Sequence, residues 1–557
     1  MAKKLESDMM PLTKLFSQDF FFRIPDYQRP FLWDDEDFTN LIDDLGSAQR
    51  DEPYFLGTLV LHKIKQGEYD VVDGQQRLTA LCILMACMRD SLDTTDDKTL
   101  TTEIHEKIFQ AAKKLDSIPA RNRLQVKDQA VFNSMIGTQG GAAQPLPSSD
   151  LKSAINRRYE AARKIFWNKL RLMREHDRES LAIFVTQNCT FIYVATDTFE
   201  DAFRLFTVVN DRGKQLRRID VLKAYNLDPA YVTTADSRTK YARQWEEMEG
   251  RLGEAEFENI FSLLRLLYIK EKTQFDLHKE FERKILGQPN MPKPGPEFMD
   301  QLEKYVDLYD ALFVDRDILD PAGDQPHVAY RTLIDAMVTY FSASEWKACL
   351  LAFAAKFDKE RLYDFLLTIE KVYLDHWITG TRKDERYGVY TTILKEIDRA
   401  TSADQVIFTV AVSTENIEAG CRAKNFYGAS HAKYLLVRAE IVADELDHVR
   451  HFQVRSIEHV LPQNPKEGGN WDMTFSDSEH QELIDSAGNL VLLSKSKNSR
   501  AGNREFEEKK STYLKDRVTS FPRSVQVLGY SDWTPDVIRA RTEDFAKTVL
   551  KDPQTRP

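Results

Sequence analysis

The chain has 557 residues, 42% of them hydrophobic and 30% charged, with a formal net charge of −11. That length implies several domains with ample core and a globular composition, and it holds no apolar run able to span a bilayer and no apolar signal core after Met1. Cys82, Cys87, Cys189, Cys349 and Cys421 are scattered and mostly in apolar contexts, which argues against a disulfide framework or zinc clip and for reduced thiols in a cytoplasmic protein.

The first informative stretch is Ile24-Pro25-Asp26-Tyr27-Gln28-Arg29-Pro30-Phe31-Leu32-Trp33. A helix is predicted from Asp34 to Leu45 and a strand from Tyr54 to Leu61. In Asp70-Val71-Val72-Asp73-Gly74-Gln75-Gln76-Arg77, the valines predict a short strand and Asp73-Gly74 a turn. Gln75 opens a helix with apolar positions at Leu78, Leu81, Cys82 and Met85. Backbone N–H groups and Arg77 then meet at a helix start, where anions bind and arginine grips phosphate with two parallel hydrogen bonds. A nucleotide or nucleic-acid phosphate is the natural ligand, although the tetrad alone reads equally as a plain turn with a surface cation.

Taken with Tyr27-Gln28-Arg29-Pro30, this region resembles domain of unknown function 262. The resemblance implies a ParB/sulfiredoxin-like α/β core that binds or hydrolyses NTP and senses modified DNA. It also predicts the downstream motif Ala202 to Phe206, Val209-Asn210-Asp211-Arg212-Gly213-Lys214 and Asp220-Val221-Leu222-Lys223. There a helix, a polar turn and a second helix with Lys223 near its start would close the pocket. Asp73 and Asp220 would hold the cations or a metal. The implied nucleotide-binding residues are Tyr27, Gln28, Arg29, Asp73, Gly74, Gln75, Gln76, Arg77, Asn210, Arg212 and Lys223. No GxxxxGK[ST] occurs, so a P-loop motor is not expected. Nothing in the residues selects among GTP, ATP, CTP and UTP.

Residues 137–150 and 287–296 read as loops. Arg157, Arg158, Arg163, Lys164, Lys169 and Arg171 fall on an amphipathic helix and read as a solvated face. Further on, Phe257, Ile260, Phe261, Leu264, Leu267 and Tyr268 follow helical spacing. So do Leu302, Tyr305, Val306 and Tyr309, and then Leu362, Phe365, Leu366, Ile369, Val372 and Tyr373. Such stripes are core-forming, and residues 228–425 read as a helical connector, either relay or spacer.

Near the C-terminus come Ile457-Glu458-His459-Val460-Leu461-Pro462-Gln463, then Gly488-Asn489-Leu490-Val491-Leu492-Leu493, then Lys497-Asn498-Ser499-Arg500. A histidine that titrates near neutrality can take a proton from water. The carbonyl of Asn498 suits a hard cation. Glu458 and His459 would face opposite ways on a regular strand, and a bulge would bring them together. Asn489 opens the apolar strand Leu490–Leu493 and is placed to hold the loop carrying His459 by hydrogen bonds. From Lys495 to Arg517, eight basic residues stand against four acidic ones. This local excess can overcome the acidic total in binding DNA, with Lys495, Lys497, Arg500 and Arg504 as the contacts.

This segment resembles domain of unknown function 1524, an HNH-type nuclease family. By that resemblance His459 is the general base, Glu458 and Asn498 hold Mg²⁺ or Mn²⁺, and Asn489 is the middle asparagine of the motif, so that His459, Asn489 and Asn498 form the catalytic set. Many HNH enzymes have Asp where this chain has Glu458. The two resemblances together are those of the GmrSD-type, modification-dependent (type IV) restriction endonucleases, a pairing also found in the BrxU and SspE phage-defence nucleases. The expected architecture is α+β and predominantly helical. It comprises a ParB-like domain (residues 1–227), the connector (228–425) and a ββα-metal HNH domain embedded in helices (426–557). The expected activity is NTP-responsive, metal-dependent cleavage or nicking of modified phage DNA, with a homodimer if one site per chain makes a double-strand cut. A non-catalytic ParB-like nucleotide-dependent DNA-binding regulator and an RNA-cleaving toxin are the competing readings.

Overall fold

A six-stranded mixed sheet organises the first of two compact units, Met1–Arg243 and Gln244–Pro557. The computed structural model describes residues 5–554 except 26, 29, 93–97, 113, 115–118, 127–128, 199–200, 203–204, 206–216, 453–455, 494–497, 500 and 515–520. The first unit has strands β1 (Glu6–Pro11), β2 (Phe21–Arg23), β3 (Tyr54–Lys65), β4 (Glu68–Asp73), β5 (Phe109–Gln110), β6 (Arg121–Asn122), β7 (Leu124–Gln125) and β8 (Cys189–Thr196). The large sheet runs β1-β8-β3-β4-β2-β7, while β5 and β6 pair separately. β3 and β4 form an antiparallel hairpin, flanked by β8 parallel to β3 and by β2 parallel to β4. Parallel neighbours need crossovers, and helices supply them.

The helix Gln75–Leu92 is buried at every position from Leu78 onward. It is a core helix, apolar on all sides, packed against Thr99–Ile108, Gln129–Ile136, Ala154–Arg171 and Glu175–Gln187. Its two buried charges, Arg89 and Asp90, pair at 2.6 Å. Arg89 donates to the carbonyls of Ile136 and Thr138, and Asp90 accepts from the N–H groups of Gly140 and Ala142. Every strong donor and acceptor thus has a partner, the condition for burying charge, and loop 137–150 is tied to the core.

The basic helix Ala154–Arg171 corrects one expectation. Arg163 is buried, bidentate to Glu160 and bonded to the Ala142 carbonyl, and Arg158 donates to the Phe31 carbonyl. The helix lies between two irregular segments whose carbonyls need donors. Arg157, Lys164 and Arg171 are exposed and fit the solvated picture, as does Lys169 in an exposed pair with Asp43.

In the second unit the apolar stripes lie where their period puts them. Helix Glu254–Ile269 buries Phe257, Ile260, Phe261 and Leu264; Pro296–Tyr309 buries Leu302 and Val306; Leu362–Thr379 buries Phe365, Leu366, Ile369 and Val372. A fully buried pair, Arg438–Glu370, joins helix Ala432–Ala443 to helix Leu362–Thr379. Two more strands, β9 (Ser456–His459) and β10 (Leu490–Leu493), form an antiparallel ribbon. All of β10 is buried, with helices Ala432–Ala443 and Pro522–Gln526 against it. The architecture is α+β and mostly helical. Among the described residues no helix is long and apolar enough to cross a membrane. All five cysteines are free and buried.

Glu440 faces this packing and accepts from the Arg523 N–H at 2.7 Å and from the Ser524 hydroxyl. Burial pushes its carboxyl up to about 7, above the unfolded value of about 4.3. The folded chain therefore holds this proton to higher pH than the unfolded chain. The associated stability is complete below the unfolded value and is lost as pH rises to the folded one. Between pH ~4.5 and ~7 the chain should lose on the order of 1–3 kcal/mol through this group. Glu440→Gln should remove that part of the slope in urea titrations run across the window. Parallel pH profiles for variant and wild type would contradict the assignment.

Candidate functional site

In the first unit, two glutamines join the two sequence motifs. Gln28 donates to the Val72 carbonyl at 3.0 Å. Gln76 accepts from the N–H groups of Leu32 (2.7 Å) and Trp33 (3.2 Å) and donates to the Pro30 carbonyl. The segment around Pro30 is thereby held against the start of helix Gln75–Leu92, which follows Gly74 (φ 92°). Arg77 donates to the Leu56 carbonyl at 2.9 Å. Its guanidinium passes over Gly57, where a Cβ would lie 1.8 Å from Nη1 and φ is +113°, so only glycine fits there. Burial raises the Asp73 carboxyl, opposed by the Gly74 N–H and by Arg77. Asp220 caps helix Arg218–Asn226 and pairs with Arg217 at 3.0 Å; Lys223 is buried in the last turn of that helix. Arg29, Asn210 and Arg212 lie outside the described residues.

Room for a ligand is distributed unevenly here. Gln28, Gln75, Gln76 and Thr79 line a crevice of about 30 Å³, the share of a single water. Beyond Tyr27 lies a cavity of about 500 Å³, lined among others by Arg23, His62, Asp70, Asp228 and Arg238. That is within the range of small-molecule sites. Arg23 and Asp70 form a bidentate pair at 2.6 and 2.8 Å on its wall. Burial lowers the His62 imidazole, favouring its neutral form.

In the second unit, β9 pairs with β10 one to one and without a bulge. Glu458 and His459 therefore point to opposite faces. The Val460 N–H bonds the Asn489 carbonyl, and the antiparallel alternation then turns the backbone groups of Ile457 and His459 outward. Side chains satisfy both outward carbonyls. The Asn498 amide donates to Ile457 O at 3.1 Å and also bonds the Ser456 hydroxyl; Lys509 Nζ donates to His459 O at 2.7 Å. The two donors stand two residues apart on one edge, roughly 7 Å, with Glu458 between them. A carbonyl can only accept, so Asn498 Nδ2 faces the strand and its Oδ1 faces away.

Glu458 is buried, and its Oε1 accepts from Lys509 at 2.8 Å and Tyr513 at 2.9 Å. Burial raises its carboxyl and lowers the Lys509 ammonium, each opposed by the other. Among the described residues no donor reaches Oε2. On the other face, His459 Nε2 lies 3.0 Å from Asp485 Oδ1, and the Tyr427 ring stands edge-on with centroids 4.4 Å apart. Burial lowers the imidazole, against the pull of Asp485, so the neutral base is favoured. Asp485, Lys509 and Tyr513 were not read as site residues from sequence. Lys509 belongs by sequence to the basic run that starts at Lys495, yet it is fully buried. Of the proposed DNA contacts, Arg504 is exposed, while Lys495, Lys497 and Arg500 lie outside the described residues.

The donor set suits one kind of divalent ion. Among the described residues no three His, Cys, Asp or Glu groups gather as a metal cluster. Glu458 Oε2 and Asn498 Oδ1 are hard oxygens without a partner there. One carboxylate, one amide oxygen and waters suit Mg²⁺, which keeps much of its hydration. They do not suit zinc, which wants sulfur or imidazole.

Asn489 fixes the turn after His459. Its carboxamide accepts from the Leu461 N–H (2.7 Å) and Trp533 Nε1 (3.1 Å) and donates to the carbonyls of Leu461 (3.0 Å) and Ile484 (2.8 Å). Asn489→Ala would strand four polar groups in a buried site. It should lower stability by about 3–5 kcal/mol and the melting point by roughly 10 °C in calorimetry; an unchanged melting point would refute this role. Arg77→Ala should lower stability by about 1–3 kcal/mol through the lost bond to Leu56 O. A variant that melts like wild type would return Arg77 to the surface-cation reading.

Comparison with known families places both regions. Residues 12–227 match the GmrSD restriction endonuclease N-terminal domain, and residues 411–548 match the GmrSD restriction endonuclease C-terminal domain. No curated protein matches the chain. The glutamine-joined motifs and the β9–β10 ribbon fall inside these two matches, which come in the same order as the domains they describe. The chain belongs to the GmrSD restriction endonucleases, and DNA is the partner that this membership implies.

Proposed function

We propose that this endonuclease acts in phage defence by metal-dependent HNH chemistry on modified DNA, cutting or nicking it at the β9–β10 ribbon in response to an NTP bound by the N-terminal unit. One observation carries the nuclease part: a four-residue strand bears Glu458 and His459 and takes the Asn498 amide on its outer edge. In this reading Glu458 and Asn498 hold Mg²⁺ or Mn²⁺. Such a cation supplies charge neutralisation at the scissile phosphate and its leaving oxygen. His459 takes the proton from the attacking water. Asn489 keeps the turn after His459 in register, and Lys495, Lys497, Arg500 and Arg504 grip backbone phosphates, a sequence-independent contact.

For the NTP, the cavity that Tyr27 lines offers the volume, and Arg23 and Arg238 are cations on its wall. Gln28 and Gln76 act behind it by holding the motif segments together. Arg77, Asn210, Arg212 and Lys223 complete the proposed nucleotide-responsive set.

His459→Ala tests the chemistry. The variant should lose 10²–10⁴-fold or more in cleavage, the usual share of a positioned base. DNA binding, measured by gel shift in Ca²⁺, and the melting point should stay near wild type. Cleavage at the wild-type rate would remove His459 from the reaction.

A further inference from the structure

We infer that Asp485 is a positioning residue for His459: it holds the imidazole as the Nε2–H tautomer and leaves Nδ1 as the atom that accepts the proton from water. This rests on the nuclease reading above and adds a residue to it.

The geometry is specific. Asp485 lies between helix Asp477–Leu483 and the turn that carries Asn489. Its backbone carbonyl accepts from the Tyr427 N–H at 3.0 Å, and the ring of that same tyrosine packs edge-on to His459. Asp485 and Tyr427 thus form a clasp that fixes the plane of the imidazole. An ionised carboxylate only accepts hydrogen bonds, so at 3.0 Å from Nε2 it requires the proton there. The Gln463 Nε2 amide, a donor that would favour the opposite tautomer, stands 3.5 Å from the same nitrogen, at the limit of a hydrogen bond. A charged acceptor half an ångström closer outweighs that neutral group. Among the described residues no hydrogen bond reaches Nδ1. The His459 side chain is 10% exposed and that of Asp485 30%, so the pair sits at the edge of the interior, where an oriented base can still meet substrate. A carboxylate that orients a histidine and sets its tautomer is a recurrent device in proton transfer.

The test uses the full chain labelled with [¹⁵N]histidine, the His459 signals being assigned by their loss in His459→Gln. Wild type should show a protonated Nε2 and a bare Nδ1, and Asp485→Ala should show mixed tautomers. In parallel, on a DNA that wild type cuts in Mg²⁺, Asp485→Ala should lower kcat about 10²–10³-fold with KM within about threefold, and Asp485→Glu should recover part of kcat. A purely structural role would not give that split. A wild-type proton on Nδ1, or a variant that changes KM alone, overturns the proposal. Should Asp485→Ala fail to fold, Asp485→Asn decides: its amide can donate to Nε2, so full kcat in that variant also overturns it. Wild type that cuts no DNA would defeat the nuclease reading, while the imidazole spectrum would still decide the role of Asp485.

Discussion

The outward edge of β9 governs the C-terminal unit. A two-stranded ribbon of four-residue strands is too short to persist on its own backbone bonds. Among the described residues no third strand pairs with its outer edge, which leaves the Ile457 and His459 carbonyls to be satisfied by side chains. Asn498 and Lys509 do this. Because the edge is closed by side chains, the strand ends in an open margin lined with functional groups. Closing it with another strand would have produced an ordinary sheet. Glu458 lies between the two donors, and the charge of Lys509 makes its burial tolerable. The turn on which His459 depends is fixed from the opposite side by the four bonds of Asn489.

The N-terminal unit follows a related logic. Gln28 and Gln76 read in sequence as ligand contacts, yet their amides answer backbone groups at Val72, Pro30, Leu32 and Trp33. Arg77 answers Leu56. Irregular segments near a core require such donors and acceptors. The sizeable space opens on the far side of Tyr27, between paired charges and a neutral histidine. Of Tyr27, Gln28, Gln76 and Arg77, only Tyr27 lines that cavity, and the others brace the segments beside it.

What was legible in the chain divides along physical lines. Periodicity is local, so the stripes at Phe257, Leu302 and Leu362 mapped onto buried helix faces. Strand, turn and helix around Asp73-Gly74 are readable from punctuation residues, and the order Glu458-His459, Asn489, Asn498 marks the segment that forms the β9–β10 ribbon. Charge gave no such guide, since a lysine looks the same in sequence whether solvated or buried. Lys509 and Arg163 read in sequence as solvated charge, but each is interior because a carboxylate and a carbonyl meet it there. Asp485 was missed for a different reason. It lies 26 positions from His459 in a segment with no motif of its own, and only the fold brings the two together. The bulge considered at Glu458-His459 is absent. Regular pairing leaves the two side chains on opposite faces.

Whether the chain cleaves DNA with a divalent metal, as proposed, is open to direct measurement. The most direct measurement is a cleavage panel with the full chain. Plain, glucosylated and phosphorothioated DNA are each incubated in Mg²⁺, with and without GTP, ATP, CTP or UTP, and with chelator as control. Nicked or cut product is expected on at least one modified DNA, dependent on the metal and altered by a nucleotide. Intact DNA under every condition, or cutting that survives the chelator, would contradict it.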